Sequence, residues 1–273
     1  MQPTQYGVSQ RLSGERSWLW TSISQMSPAD QAQIISNVAS NWPYASERRA
    51  LNWPIHAGLI ANCISSTMIA TKISSDMIMF NPKMSFLDAI RQCPRSPFVF
   101  SVYTSGLSYY MLRQVLILPE IFTEKKPCNS CVLTKNVAIA LSTGLVLPIL
   151  STPYLCHYIN IQRQESKKIP AVTNYLDFLT LSWEGSRAAR FVLMKLIPFQ
   201  VLVAAAATYS VLWGRERVFG TLDADPDFAK ELLLEVQLKP TLKQRALDFL
   251  QGVPYYNEIT GTLKPESDRV RVD

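Results

Sequence analysis

Residues 136–162 read NVAIALSTGLVLPILSTPYLCHYINIQ, and this stretch decides the fold class of the chain. It contains no Asp, Glu, Lys or Arg. A helix of about 20 apolar residues, rising 1.5 Å per residue, crosses the hydrocarbon layer of a bilayer. The stretch therefore predicts a transmembrane helix. Pro148 and Pro153 lie inside it, and we expect each to kink the helix because proline removes a backbone donor.

Two more windows of spanning length precede this stretch. Residues 50–71 lack Asp, Glu, Lys and Arg but hold Asn62 and several hydroxyl side chains, which we expect to face neighbouring helices. Residues 97–119 are rich in aromatic side chains and carry one charge, Arg113. Because Arg113 lies near the far end of its window, we expect its charged head to extend to the membrane interface.

A fourth window covers residues 191–213. Lys195 stands near its start, and Pro198 is a third expected kink. Trp213 fits an interfacial anchor, and Gly214 is expected to cap the helix. The predicted fold is thus all-α, a polytopic membrane protein with four transmembrane helices.

The mean hydropathy of +0.05 over 273 residues averages apolar windows with a polar start and a charged end. We assign residues 1–49 to an N-terminal region, residues 50–214 to the membrane domain and residues 215–273 to a short helical C-terminal tail. Ser27 followed by Pro28 predicts an amphipathic surface helix over about 27–40. In the tail, residues 227–238 and 241–250 show helical patterns.

The ionisable residues exclude several classes of function. The net charge of +6 is scattered between apolar windows, so no nucleic-acid partner is predicted, and the charges fit anchors beside a lipid bilayer. With His56 and His157 as the only histidines, and no paired carboxylates or phosphate-binding glycine loop, we predict no catalytic residues, metal site or cofactor. The chain is predicted not to be an enzyme.

Cys128 and Cys131 form the one recognisable cysteine pair. Two thiols without a second pair cannot fill a tetrahedral zinc site. The pair is either a short-loop disulfide or a turn that holds two free thiols. A thiol oxidoreductase would need a group that lowers a thiol pKa, and Lys125 and Lys126 are the only evident candidates.

Gly58, Asn62 and Ser65 recur at spacings of four and three, so they lie on one side of the first predicted span. Small side chains permit close approach of backbones, and an amide can donate a hydrogen bond across the interface. This face either packs inside the protein or binds a partner helix.

Four spans place both termini on one side of the membrane. The loops at residues 72–95 and 163–190 are slightly more basic than the other connections. The bias of basic residues toward the negative side predicts that these two loops share that side. Both termini and the segment with Cys128 would then lie on the other side.

Several motifs together resemble the transmembrane protein 126 family. They are Gly58-Leu-Ile-Ala-Asn62, the run from Cys128 and Cys131 to Thr134-Lys135, Gly144 with Pro148, and Ile197-Pro198 followed by Tyr209. The resemblance covers roughly residues 25 to 222. The first two dozen residues and the tail from about residue 223 extend beyond the usual family length, and Pro153 is offset by one.

The resemblance implies four spans in the mitochondrial inner membrane and a part in assembling respiratory complex I. It implies partners among complex I membrane-arm subunits and other assembly factors. The leading hypothesis is therefore a non-catalytic assembly factor, or chaperone, that binds through helix faces. The alternative is a channel or carrier lined by the polar first span and the kinked third.

Overall fold

The computed structural model describes residues 26–81, 83–123, 126–163, 172 and 174–238, and the regular structure in these residues is entirely helical. The chain divides into two compact units, with the boundary between Pro226 and Asp227. The all-α prediction is confirmed for the described residues. The predicted tail helix at residues 241–250 and residues 1–25 lie outside them.

The first unit begins with α1, Pro28–Ser40, and the predicted start of this helix is confirmed. Ser27 accepts a hydrogen bond from the Asp30 backbone N–H at 3.2 Å, and Pro28 opens the first turn. Ile35 and Val38 on one face are fully buried, and α1 packs against α2 and α5, which are defined below.

The next helices are α2, Ala45–Met77; α3, Phe86–Gln92; α4, Arg95–Leu116; and α5, Leu118–Ile121. Then come α6, Asn129–Leu141; a π-helical turn, Ser142–Val146; and α7, Leu147–Arg163. After α8, Tyr175–Gly185, and a 3₁₀ turn, Arg187–Ala189, the unit ends with α9, Arg190–Ala224. The loops predicted at residues 72–95 and 163–190 thus contain helical segments.

The long helix α2 lies at the centre of the unit. It packs against α4, α7, α9 and the π turn. Ser210 on α9 donates to the Ala50 carbonyl at 3.2 Å, so the start of α2 meets the later part of α9. Asn160 on α7 donates to the Met77 carbonyl at 3.0 Å, so the end of α2 meets the end of α7. Successive long helices therefore run in alternating directions.

Two helical segments of the described chain are long and apolar enough to cross a membrane, Asn129–Gln162 and Arg187–Ala224. They contain the third and fourth predicted spans. The other two predicted spans fall largely on α2 and α4, which are less apolar overall.

The predicted cap at Gly214 is wrong, because α9 continues to Ala224. A Cβ atom on Gly214 would lie 3.1 Å from both Ala50 Cβ and Leu51 Cγ. The missing side chain therefore lets α9 approach the start of α2, and helix ending is not its role. The predicted domain boundary at residue 214 accordingly falls inside this helix.

The described part of the second unit is most of α10, Pro226–Leu238, whose first residue belongs to the first unit. Its bounds agree closely with the helical pattern read at residues 227–238. Lys230 donates to Asp227 at 3.0 Å, one turn earlier on the same exposed surface.

Candidate functional site: a polar core between helices

The inner face of α2 is polar, and its side chains form the first part of the candidate site. Gly58, Asn62, Ser65 and Ser66 are all buried, and Asn62 and both serines have no exposed surface. The three residues predicted to form a helix-contact face thus point into the bundle, where each meets a different neighbour. A partner-binding role for this face stays a prediction.

Asn62 contacts the π turn between α6 and α7. Its Nδ2 donates to Thr143 Oγ1 at 2.6 Å, and Thr143 donates onward to the Ile139 carbonyl at 2.6 Å. A Cβ atom on Gly144 would collide with Asn62 Oδ1 and lie 2.9 Å from Gln200 Nε2. Glycine at position 144 therefore makes room for both amides.

Pro148 accounts for the local change from α to π geometry. A proline lacks the N–H that would bond the carbonyl four residues earlier, and its ring crowds that carbonyl, here Gly144. The turn instead closes with a bond from the Leu147 N–H to the Ser142 carbonyl, five residues earlier. Pro153 lies inside α7 and Pro198 inside α9, and both helices continue past these residues. The kinks expected at Pro153 and Pro198 stay predictions.

Gln200 on α9 completes the contact and was not predicted from the sequence. Its Nε2 donates to Ser65 Oγ at 2.8 Å and to the Ala61 carbonyl at 3.2 Å. The side chain is only 1% exposed. An amide two residues after Pro198 in an otherwise apolar run was the available signal, since an amide facing lipid is costly.

A second amide, Asn136, was also missed as a contact residue. Its Nδ2 donates to Thr208 Oγ1 at 2.9 Å and to the Ala204 carbonyl at 3.1 Å, which joins α6 to α9. Elsewhere Ser66 and Ser101 share a hydrogen bond at 2.9 Å between α2 and α4. Polar pairs thus connect α2, α4, α6 and α9.

The expectation that Arg113 reaches the interface is wrong. Arg113 is only 6% exposed, and its Nη1 donates to the Tyr109 hydroxyl at 3.2 Å. Tyr109 lies one turn earlier, toward the middle of α4, so the charged head points back toward the start of α4, as long helical side chains commonly do. The Tyr109 hydroxyl occupies the space that a side chain at Gly58 would fill.

Arg215 is a second buried cation, placed by sequence after the last predicted span. Its Nε and Nη2 donate to the Ile121 and Thr123 carbonyls at 2.6 and 2.8 Å. Its guanidinium also lies over the Phe219 ring, 4.6 Å from the centroid. Arg215 therefore ties the end of α5 to α9, and no sequence pattern indicated this contact.

The outer faces of the same helices are apolar. The exposed large side chains on α4 include Val99, Phe100, Tyr103, Leu107, Met111 and Val115, and those on α9 include Phe191, Met194, Leu202 and Tyr209. Tyr103 is 76% exposed, whereas Ser101 and Ser105 on the opposite side of α4 have no exposed surface. Burying serines while exposing aromatic residues is the reverse of the arrangement in water-soluble proteins.

Cys128 and Cys131 lie at the start of α6, and both thiols are exposed and free. Cys128 is at the N-cap position of α6 but makes no side-chain hydrogen bond to the first turn, and this position was not predicted from the sequence. The neighbouring Cys131 thiol, acting as a hydrogen-bond donor, lowers the pKa of the Cys128 thiol. His56 lies on α2 and His157 on α7, and the described residues contain no cluster of three or more metal-ligating side chains.

Comparison with known proteins gives one positive result. The family model described as TMEM126-like protein matches residues 2–233. This confirms the resemblance that the sequence motifs indicated. No curated protein and no solved structure matches the chain.

Proposed function

The chain belongs to the TMEM126-like family, and from this premise we propose that it is a four-span protein of the mitochondrial inner membrane that assists the assembly of respiratory complex I. It acts without catalysis, by binding membrane-arm subunits or other assembly factors. Family membership is the observation that carries the proposal. The arrangement of polar and apolar faces supports its membrane part.

The polarity of α2 and α4 is compatible with membrane spans because their polar side chains are inside. The Asn62 amide, the Ser66 and Ser101 hydroxyls and the Arg113 guanidinium are all withdrawn from the surface. The sides that would meet lipid carry exposed residues such as Ile60 and Leu107. An average over the whole helix misses this separation.

The hydrogen bonds between helices support a binding role over transport. A channel would use the polar groups of the first span and the π turn to line a path. Instead Asn62, Thr143 and Gln200 bond to neighbouring helices, and Gly144 lets their amides approach. Such contacts fix helix packing, and the apolar outer faces are left for lipid and for membrane subunits.

Complementation of cells that lack the protein tests the proposed function. We expect such cells to accumulate incomplete complex I on native gels, and expression of the full chain to restore the mature complex. Mitochondria from the same cells should retain the protein in the membrane pellet after carbonate extraction. Normal complex I in the deficient cells would overturn the assembly role, and release by carbonate would overturn the membrane architecture.

Purification of the tagged protein from rescued mitochondria then identifies the partners. The assembly role predicts enrichment of complex I membrane-arm subunits or assembly factors over other inner-membrane complexes. An equally abundant, unrelated multi-span inner-membrane protein with the same tag is the matched control. Equal recovery with both baits would contradict direct binding.

A further inference from the structure

The start of α6 brings together two reactive side chains that the assembly role does not use. Cys128 occupies the position immediately before the first turn of α6, without a side-chain hydrogen bond to that turn, and Cys131 lies in the turn. Both thiols are exposed, whereas Cys63 and Cys93 are partly buried and Cys156 is buried. The accessible thiols of the described chain are therefore concentrated at one helix end.

Their spacing suits a reversible disulfide. Residues three apart in a helix have Cα atoms about 5 Å apart, from a 1.5 Å rise and a 2.3 Å radius. Disulfides bridge Cα atoms separated by roughly 4.4–6.8 Å. The backbone at the helix start therefore places the two sulfur atoms within bonding reach.

The surroundings favour the thiolate of Cys128. The first N–H groups of a helix carry partial positive charge, which stabilises an anion at that end. The first turn of α6 contains no acidic residue. Lys135 on α6 and Glu120 on α5 are the charges that act on the Cys131 thiol, and they pair with each other at 2.6 Å and so largely offset one another. Lys126, two residues before Cys128, pairs with Glu216 at 2.7 Å.

We propose that Cys128 and Cys131 form a dithiol–disulfide pair that exchanges with a disulfide of a partner protein in the aqueous compartment next to this helix end. Cys128 is the attacking thiol, and Cys131 is the resolving thiol. This activity goes beyond the assembly role and does not depend on it.

The exchange balances in two steps. The Cys128 thiolate attacks one sulfur of the partner disulfide, which forms a mixed disulfide and releases one partner thiolate. Cys131 then loses its proton to water and attacks Cys128 Sγ, which releases the second partner thiolate. The two cysteines of this chain lose two electrons, and the partner disulfide gains them.

Redox titration of the purified full chain in detergent micelles tests the pairing, with mixtures of reduced and oxidised glutathione as the probe. Mass analysis after alkylation should find a Cys128–Cys131 disulfide as the main oxidised form. In Cys131→Ser, the resolving step is absent, so the glutathione adduct on Cys128 should accumulate. Two thiols that both remain free, or adducts of equal yield in the wild type and in Cys131→Ser, would overturn the proposal.

Alkylation kinetics test the assignment of the two roles without any oxidant. In the reduced wild type, iodoacetamide should modify Cys128 at pH 7 faster than in Cys131→Ala, because alanine has no donor to replace the Cys131 thiol. Cys93 in the same samples is the internal control, and its rate should not change. Equal Cys128 rates in both proteins, with unchanged helical circular dichroism, would contradict the roles.

Discussion

At the scale of single residues, substitution of Asn62 best distinguishes the two roles of the α2 face, which are packing inside the protein and binding a partner helix. Asn62→Leu removes the bond to Thr143 and places a branched apolar group against the π turn. An interhelical hydrogen bond in a membrane protein contributes about 1 kcal/mol, and the poorer fit adds to the loss. We expect lower thermal stability in micelles and lower abundance in mitochondria.

Ile60→Leu is the control for Asn62→Leu, because Ile60 lies on the exposed side of the same helix. It should leave stability and abundance unchanged. Normal abundance of Asn62→Leu with accumulated complex I intermediates would assign the face to a partner. Normal abundance with normal complex I would remove Asn62 from both roles.

Gly144 offers a sharper test of the polar core. Gly144→Ala forces a Cβ atom against Asn62 Oδ1 and Gln200 Nε2, and overpacking of this kind costs about 1–3 kcal/mol. Gly220→Ala on α9 is the matched control, since nothing lies within 4 Å of its Cβ position. There alanine should stabilise the helix by up to about 1 kcal/mol. Thermal unfolding of both variants measures the difference, and equal shifts of the same sign would contradict the packing.

Residue patterns revealed part of this site and not the rest. An amide within an apolar window indicated that Asn62 must be shielded, because an unpaired amide is costly in lipid. Its bonding partner could not be read from the sequence, because Thr143 lies 81 positions away. The burial of Arg113 was not predicted, because its place near the end of the window suggested the membrane interface. Its partner, the Tyr109 hydroxyl, fits there because Gly58 on α2 has no side chain.

At the scale of elements, the outer face of α4 distinguishes a lipid environment from water. Leu107 lies at the middle of α4 and is 55% exposed. If this face meets lipid, Leu107→Asp costs about 2.5–3.5 kcal/mol of insertion and lowers the inserted fraction in microsomal membranes. A water-facing helix would tolerate the aspartate.

Tyr44→Asp is the control for the α4 experiment. Tyr44 is exposed and caps α2 outside the predicted spans, where aspartate is a favourable cap. The fraction of the Tyr44→Asp protein that inserts into the membrane should equal that of the wild type. Equal insertion of the two aspartate variants would place the outer face of α4 in water.

The helices themselves were easier to predict than their ends. The windows of spanning length, each with at most one charge, predicted the long helices because apolar runs of this length need continuous backbone bonding. The extension of α9 beyond Gly214 was not predictable from the sequence, because the reason for glycine at this position is the close approach of Ala50 and Leu51 on α2. The π turn likewise follows from Pro148 together with packing against Asn62.

At the scale of the whole molecule, the helix ends fall into two groups. One group contains the start of α2, the Cys128 segment and the later part of α9. Three contacts join it: Ser210 to Ala50, Arg215 to Ile121, and the Lys126–Glu216 ion pair at 2.7 Å. We predict that this group faces the intermembrane space. Protease added to mitoplasts with an intact inner membrane should then cleave the C-terminal tail, while a matrix marker stays intact. Full protection of the tail would invert the orientation.

The bonds from α2 to Gln200 also set an order of events during synthesis. Gln200 follows Ala61 by 139 positions, and ribosomes add about 5–20 residues per second. The segment that forms α2 therefore waits about 7–30 s before the amide that bonds Ser65 has been made. During that interval the Ser65 hydroxyl lacks its Gln200 partner, whereas the Asn62 amide waits only until Thr143, 81 positions later, has been made. A nascent chain in a membrane would therefore depend on insertion machinery or lipid-interface waters to shelter the Ser65 hydroxyl longest.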